Sequence, residues 1–242
     1  MKAVTRAVKI FWIFLWAGIM TLLLFFPMVV SSLLSRTGNL AFSISKIWAR
    51  VMLLVSATRV RAAGKEKIKK SRSYVIIANH QSQFDILAIV TSLGVQFRWI
   101  IKQEILKVPL FGYALYASRN IFIDRRDPER ARASIRKGLD RLPRGVSVMF
   151  FAEGTRSPNG RLLPFKKGGF AVALERNYPV LPVTVNGSRH VLPRGSVEFH
   201  PGRIEVVIGD PIDTAGYASD RIGELMERTR HVIESNLDLG PR

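Results

Sequence analysis

The chain has 242 residues, room for one domain with a sizeable core plus an accessory segment. It contains no cysteine, which excludes disulfides, thiol catalysis and cysteine-bound zinc, and its four histidines, His80, His190, His200 and His231, show no metal-ligand spacing. Lys and Arg number 37 against 18 Asp and Glu, so the net charge of +19 favours anionic partners: nucleic acid, acidic lipid, or phosphorylated and acidic substrates.

Lys2, Arg6 and Lys9 precede an uncharged run of 26 residues from Ile10 to Ser35. That is longer than the roughly 20 residues needed to cross a bilayer core, and no small-residue cleavage site of a signal peptide follows it. Pro27 is expected to kink or interrupt a helix there. Arg36-Thr37-Gly38-Asn39 reads as a break. Residues 40–58 form a weaker apolar segment with Lys46 and Arg50 on one face, suited to the bilayer interface or a helical hairpin. Residues 1–58 therefore read as a membrane-associated helical hairpin. The basic stretch 59–72 (Arg59, Arg61, Lys65, Lys67, Lys69, Lys70, Arg72) reads as a linker drawn to anionic membrane lipid. Positive charge at both ends of the hairpin places the domain on the cytoplasmic face of a membrane.

Residues 73–242 read as the main folded domain. Apolar runs at 74–78, 95–101, 120–124, 146–151, 180–185 and 204–208 read as strands. Helical patterns at 85–93, 128–142, 168–176 and about 217–237 fall between and after them. This alternation predicts an α/β fold, a largely parallel sheet flanked by helices. Pro201-Gly202 predicts the turn of a hairpin between two later strands.

The stretch 74–85, YVIIANHQSQFD, reads as strand, loop, helix. His80 and Asp85 are five apart, about 140° around an ideal helix, so they meet only if His80 precedes the helix and Asp85 lies in its first turns. Ser82 or Gln81 then falls near the N-cap. A carboxylate there fixes the tautomer of an imidazole acting as a base. Three further blocks follow: Arg119 to Arg125 (RNIFIDR), Phe151 to Ser157 (FAEGTRS) and Pro179 to Val183 (PVLPV). Arg125 suits bidentate phosphate contact. Gly154 would let backbone N–H groups approach an anion.

With these blocks in order, the chain resembles the glycerolipid acyltransferase family, specifically the 1-acyl-sn-glycerol-3-phosphate acyltransferases. Those carry H-x-x-x-x-D, G-x-x-x-x-x-R, F-P-E-G-T-R-S and a proline-rich strand. The likeness covers roughly residues 60–212, with two departures: Arg119 stands where the pattern has Gly, and Ala152 where it has Pro. The resemblance implies acyl transfer from acyl-CoA or acyl carrier protein to the sn-2 hydroxyl of lysophosphatidic acid. It also implies that no resident cofactor or metal takes part. His80 is then the base and Asp85 its orienting carboxylate, with no serine intermediate, Ser82 being the competing nucleophile. Arg125 and Arg156, with Lys102, bind the glycerol phosphate, and Glu153, Gly154 and Thr155 complete the substrate-binding set, Glu153 either on the acceptor's hydroxyls or holding Arg156. The Pro179 block shapes a strand end near the site. Other readings are the same chemistry on another lysolipid or glycerol 3-phosphate, and a membrane-tethered lipid-binding protein without catalysis. Nucleic acid is not an expected partner, since no nucleic-acid module is present.

Overall fold

The computed structural model describes residues 2–35 and 37–239. Arg36, at the head of the expected break, lies outside them, as does the side chain of Lys2. Helix α1 (Lys2–Leu34) continues past Pro27 without interruption, and α2 (Asn39–Val55) folds back along it. Trp48 Nε1 donates to Thr21 Oγ1 at 3.2 Å, and Trp12 Nε1 to the Val55 carbonyl at 3.0 Å.

The chain then enters the sheet earlier than expected. Thr58–Ala63 is strand β1, not linker. Its side chains alternate: Val60 and Ala62 pack onto the core, while Arg59 and Arg61 point to solvent. The arginines that gave the segment its linker character guard an edge strand. The domain continues with β2 (Val75–Ala78), α3 (Phe84–Ser92), β3 (Phe97–Lys102), α4 (Phe111–Ala117) and β4 (Ile121–Ile123). Next come α5 (Pro128–Leu139), β5 (Ser147–Phe151), α6 (Lys167–Arg176), β6 (Val180–Asn186), the short α7 (Ser188–Val191), β7 (Gly202–Ile208) and α8 (Ile222–Ser235).

Among the described residues, seven strands form one sheet in the order β1-β7-β6-β2-β5-β3-β4. Every pairing is parallel except β6 with β7. The expected hairpin at Pro201-Gly202 is instead a longer return through α7, and Gly202 opens β7. Successive β2 residues face opposite layers. Ile76 and Ala78 join α2 and α3 on one face, and Val75 and Ile77 join α5, α6 and α8 on the other.

From β2 the chain passes to β3 on one side of β5, and from β5 it passes to β6 on the other side of β2. Such a reversal opens a crevice at the carboxyl ends of the strands, where ligands of open α/β sheets bind. The proline-rich block runs the length of β2, from Val180 beside Val75 at its start to Val183 beside Ala78 at its end, two residues before His80.

Arg119 explains one departure from the family pattern. Its φ is 59°, in the left-handed region where glycine is at ease. Its stem packs over Gly38, the residue before α2, leaving no space there for a Cβ. Arg119→Gly is expected to raise stability by about 0.5–1 kcal/mol, and the β-branched Arg119→Val to lower it by about 1 kcal/mol or more. Thermal or urea melts in detergent check both signs.

Candidate active site

β2 ends at the centre of the sheet, and the next residues build the site. Asn79 is fully buried, and its amide donates to the Val185 carbonyl at 2.9 Å and accepts the Val185 N–H at 2.7 Å. This ties the exit of β2 to β6 beyond the last ladder pair, Ala78 with Val183. His80 follows, its side chain 14% exposed. The turn over Gln81–Gln83 then brings Asp85, second residue of α3, back onto the imidazole at 2.7 Å (Nδ1 to Oδ2). The same oxygen accepts the N–H groups of Gln81 at 2.7 Å and Ser82 at 2.8 Å. Asp85 is wholly buried, so its charge is held by these donors and not by water. An acceptor-only carboxylate on Nδ1 keeps the proton there and leaves Nε2 as the basic nitrogen.

Ser82, the competing nucleophile, is committed to the fold. It is wholly buried, its hydroxyl donates to the Leu192 carbonyl at 2.8 Å, and it accepts the Phe84 N–H at 3.2 Å at the start of α3. It closes the turn that presents Asp85.

Phe151, at the end of β5, stacks on the imidazole with centroids 3.7 Å apart and planes within 9°. Trp99 stacks behind it at 5.5 Å, Phe97 meets Trp99 at 5.2 Å, and Phe42 of α2 meets Phe97 at 4.8 Å. An aromatic column thus runs from the His80 ring to the helical hairpin. The sequence flagged Phe151 as a motif letter, but nothing in it shows which ring Phe151 covers. Trp99 also closes an apolar cavity of about 90 Å³ between α1, α2, α3 and α4, lined by Leu24, Met28, Trp48, Leu87 and Phe111 among others.

The third block is placed differently from expectation. Glu153 is 2% exposed, with Oε1 accepting the His80 N–H and Oε2 the Leu163 N–H, each at 3.0 Å. Burial pushes its carboxyl above the usual range, and the two N–H bonds pull it back. Glu153 therefore brackets the main chain of His80 to the 161–163 loop and does not face an acceptor's hydroxyls or hold Arg156. Gly154 takes φ 69°, as a tight turn requires, but its N–H donates to the Phe151 carbonyl at 3.0 Å and does not face an anion. The next two N–H groups, of Thr155 and Arg156, have no partner among the described residues.

Arg125 Nη1 donates to the Gly154 carbonyl at 2.9 Å, which joins the second block to the third. Since Glu153 joins the third to the first, the three blocks converge through main-chain contacts around His80. Arg156 is half-buried, and its guanidinium has no hydrogen-bond or ion-pair partner among the described residues. Thr155 is exposed beside it. Lys102 is engaged with Glu104 at 3.1 Å, and no hydrogen bond links it to the other candidates. Close by in the chain, Asp124 is bonded by Arg126, which holds its carboxyl down at about 2.

A buried carboxylate orients an imidazole, Ser82 beside it is committed to the α3 turn, and Arg125 is joined to the third block. This is the arrangement of an α/β domain that carries an oriented imidazole able to act as a base. The comparisons with known proteins agree. The family model described as Acyltransferase matches residues 59–186. The 1-acyl-sn-glycerol-3-phosphate acyltransferase of Pseudomonas aeruginosa is 32% identical over 200 residues, covering 80% of this chain and 77% of that one. A chloroplastic 1-acyl-sn-glycerol-3-phosphate acyltransferase of Brassica napus is 33% identical over 198 residues, 81% of this chain, although the match spans just 56% of the plant protein. The crystal structure of the 1-acyl-sn-glycerophosphate (LPA) acyltransferase of Thermotoga maritima superposes with a TM-score of 0.84 at 27% identity, over 97% of this chain and 95% of that one. The chain belongs to the acyltransferase family.

Proposed function

We propose that this protein transfers a fatty acyl group from a thioester, acyl-CoA or acyl carrier protein, to the sn-2 hydroxyl of lysophosphatidic acid, giving phosphatidic acid. The observation that carries the proposal is the 2.7 Å contact of His80 Nδ1 with buried Asp85, set among arginines without a protein nucleophile. In this reading Nε2 removes the proton as the acceptor oxygen attacks the thioester carbonyl. The imidazolium, stabilised by Asp85, returns the proton to the departing thiolate. The acyl–sulfur bond breaks as the acyl–oxygen bond forms. Arg125 and Arg156 receive the phosphate, with the free N–H groups of Thr155 and Arg156 beside them.

The hairpin supports an interfacial setting. α1 is long and apolar enough to cross a membrane. Its contacts with the rest of the protein nevertheless run from Arg6, paired with Glu198, to Met28, beside Ser118, roughly 33 Å of helix at 1.5 Å per residue. A helix fastened lengthwise to a domain cannot pass through the bilayer while the domain stays in water. We read α1 as lying in the plane of a membrane, its exposed face (Phe11, Phe14, Leu22, Phe26) in lipid. The catalytic domain then sits on the cytoplasmic face, where anionic lipid meets its positive charge. The site takes an amphiphilic acceptor without extracting it.

The test is acyl transfer from labelled oleoyl thioesters to a panel of lysolipids in liposomes. Lysophosphatidic acid is expected to be the preferred acceptor. Arg125→Ala and Arg156→Ala are each expected to raise its KM about 10- to 100-fold, the range for losing a charged hydrogen bond, while leaving neutral monoacylglycerol unaffected. Equal losses on charged and neutral acceptors would remove phosphate recognition from these residues.

A further inference from the structure

The connection between β3 and β4 presents five large apolar side chains to the outside. Leu106, Val108, Leu110, Tyr113 and Tyr116 are between 37% and 55% exposed. They cannot turn inward. A 3-10 turn over Gln103–Lys107 meets α4 at a corner where a Cβ on Gly112 would stand 2.5 Å from the Leu106 carbonyl oxygen. At the corner Leu110 holds φ 59° and ψ −52°, and the Phe111 N–H donates across it to the Pro109 carbonyl at 2.6 Å, a strained γ-turn for a residue with a side chain. The backbone is fixed so that the apolar residues project.

This patch continues an apolar surface already described. The ring of Tyr113 lies 5.8 Å from that of Phe25 on α1, and Leu22, Leu23 and Phe26 of α1 are exposed on the same helix. The inner side of the same connection, through Phe111, Ala114 and Leu115, is a wall of the apolar cavity. Tyr113 and Tyr116 are three apart on α4, so they share a face, and they form a tilted pair at 6.3 Å. Tyrosines of this kind favour the headgroup level of a bilayer. Lys107, within the corner, and Lys102, at its root, are exposed cations that suit anionic headgroups.

We infer that the Leu106–Tyr116 corner is a second membrane-inserted element, entering the interface of an anionic bilayer beside α1. With α1 it bounds the lipid-facing side of the cavity, so that the cavity opens toward acyl chains and not toward water. The inference rests on the flat setting of α1 proposed above.

The absence of cysteine makes a direct test clean. Val108→Cys and Tyr116→Cys in the full chain are labelled with a nitroxide and bound to vesicles of phosphatidylglycerol and phosphatidylcholine in equal parts. Phe26→Cys on α1 serves as the lipid reference, and Arg132→Cys on the exposed side of α5 as the water reference. The expected result is that molecular oxygen relaxes the labels at 108 and 116 several-fold more than a water-soluble nickel chelate does, as at 26, with the opposite order at 132. If 108 and 116 follow 132 while 26 stays in lipid, the inference fails and the α1 reading stands. Water-like behaviour at all four sites overturns both. Labels at 108 and 116 shielded from both reagents would mean a protein partner covers the corner, which also overturns the inference.

Discussion

Replacing His80 by alanine is expected to lower kcat for acyl transfer by about 10³-fold or more, roughly 4 kcal/mol of transition-state stabilisation, with little loss of fold. The two halves of this expectation come from different atoms. The residue's structural work is done by its main chain: its N–H meets Glu153, and its carbonyl accepts the Ser157 N–H at 2.7 Å. Alanine keeps both contacts. Its chemical work is done by the ring, which has one polar side-chain partner, Asp85, and one stacking partner, Phe151. Removing the ring removes the sole base among the described residues that is held by a carboxylate in this crevice. Steady-state transfer to lysophosphatidic acid, run beside a thermal melt, separates the two. A variant that melts like wild type and transfers within tenfold of it would end the catalytic assignment and favour a tethered lipid-binding role.

The sheet's central strands were legible because each is a short apolar run between turn residues, and burial on both faces demands that pattern. Strand β1 was hidden by its own composition, since two arginines in six residues outweighed the alternation around them. The hairpin expected at Pro201-Gly202 anticipated the antiparallel pairing of β7 with β6, but not that the return runs through α7, whose four residues are too short for a periodic pattern to show. The histidine–aspartate pair was legible for a geometric reason: an offset of five works if the helix begins between the two, and α3 begins at Phe84. Glu153 was misjudged because its partners come from β2 and from ten residues downstream, and no local pattern announces a carboxylate bound to two distant main-chain N–H groups. The same holds for Phe151. Alternation tells which face of β5 it occupies, not that the His80 ring lies against it.

Asp85 is expected to separate orientation from charge. Asp85→Asn can keep an acceptor oxygen toward His80 Nδ1, Gln81 and Ser82. Its NH₂ then occupies the place of Oδ1, which is buried and has no partner. An unpaired buried donor costs about 1–3 kcal/mol of stability, and the lost charge no longer stabilises the imidazolium, so kcat falls by about 10²- to 10⁴-fold. Asp85→Ala removes the acceptor from three N–H donors at once. It is expected to lose about 2–4 kcal/mol of stability and nearly all the activity that His80→Ala loses. The decisive comparison is the double variant. If Asp85 acts through His80, then His80→Ala with Asp85→Ala transfers no more slowly than His80→Ala alone, because once the base is gone its orienting group has nothing left to orient. Multiplicative losses in kcat would instead give Asp85 a contact of its own with the reacting atoms. That outcome conflicts with a carboxylate that is wholly buried and faces the imidazole and the α3 turn.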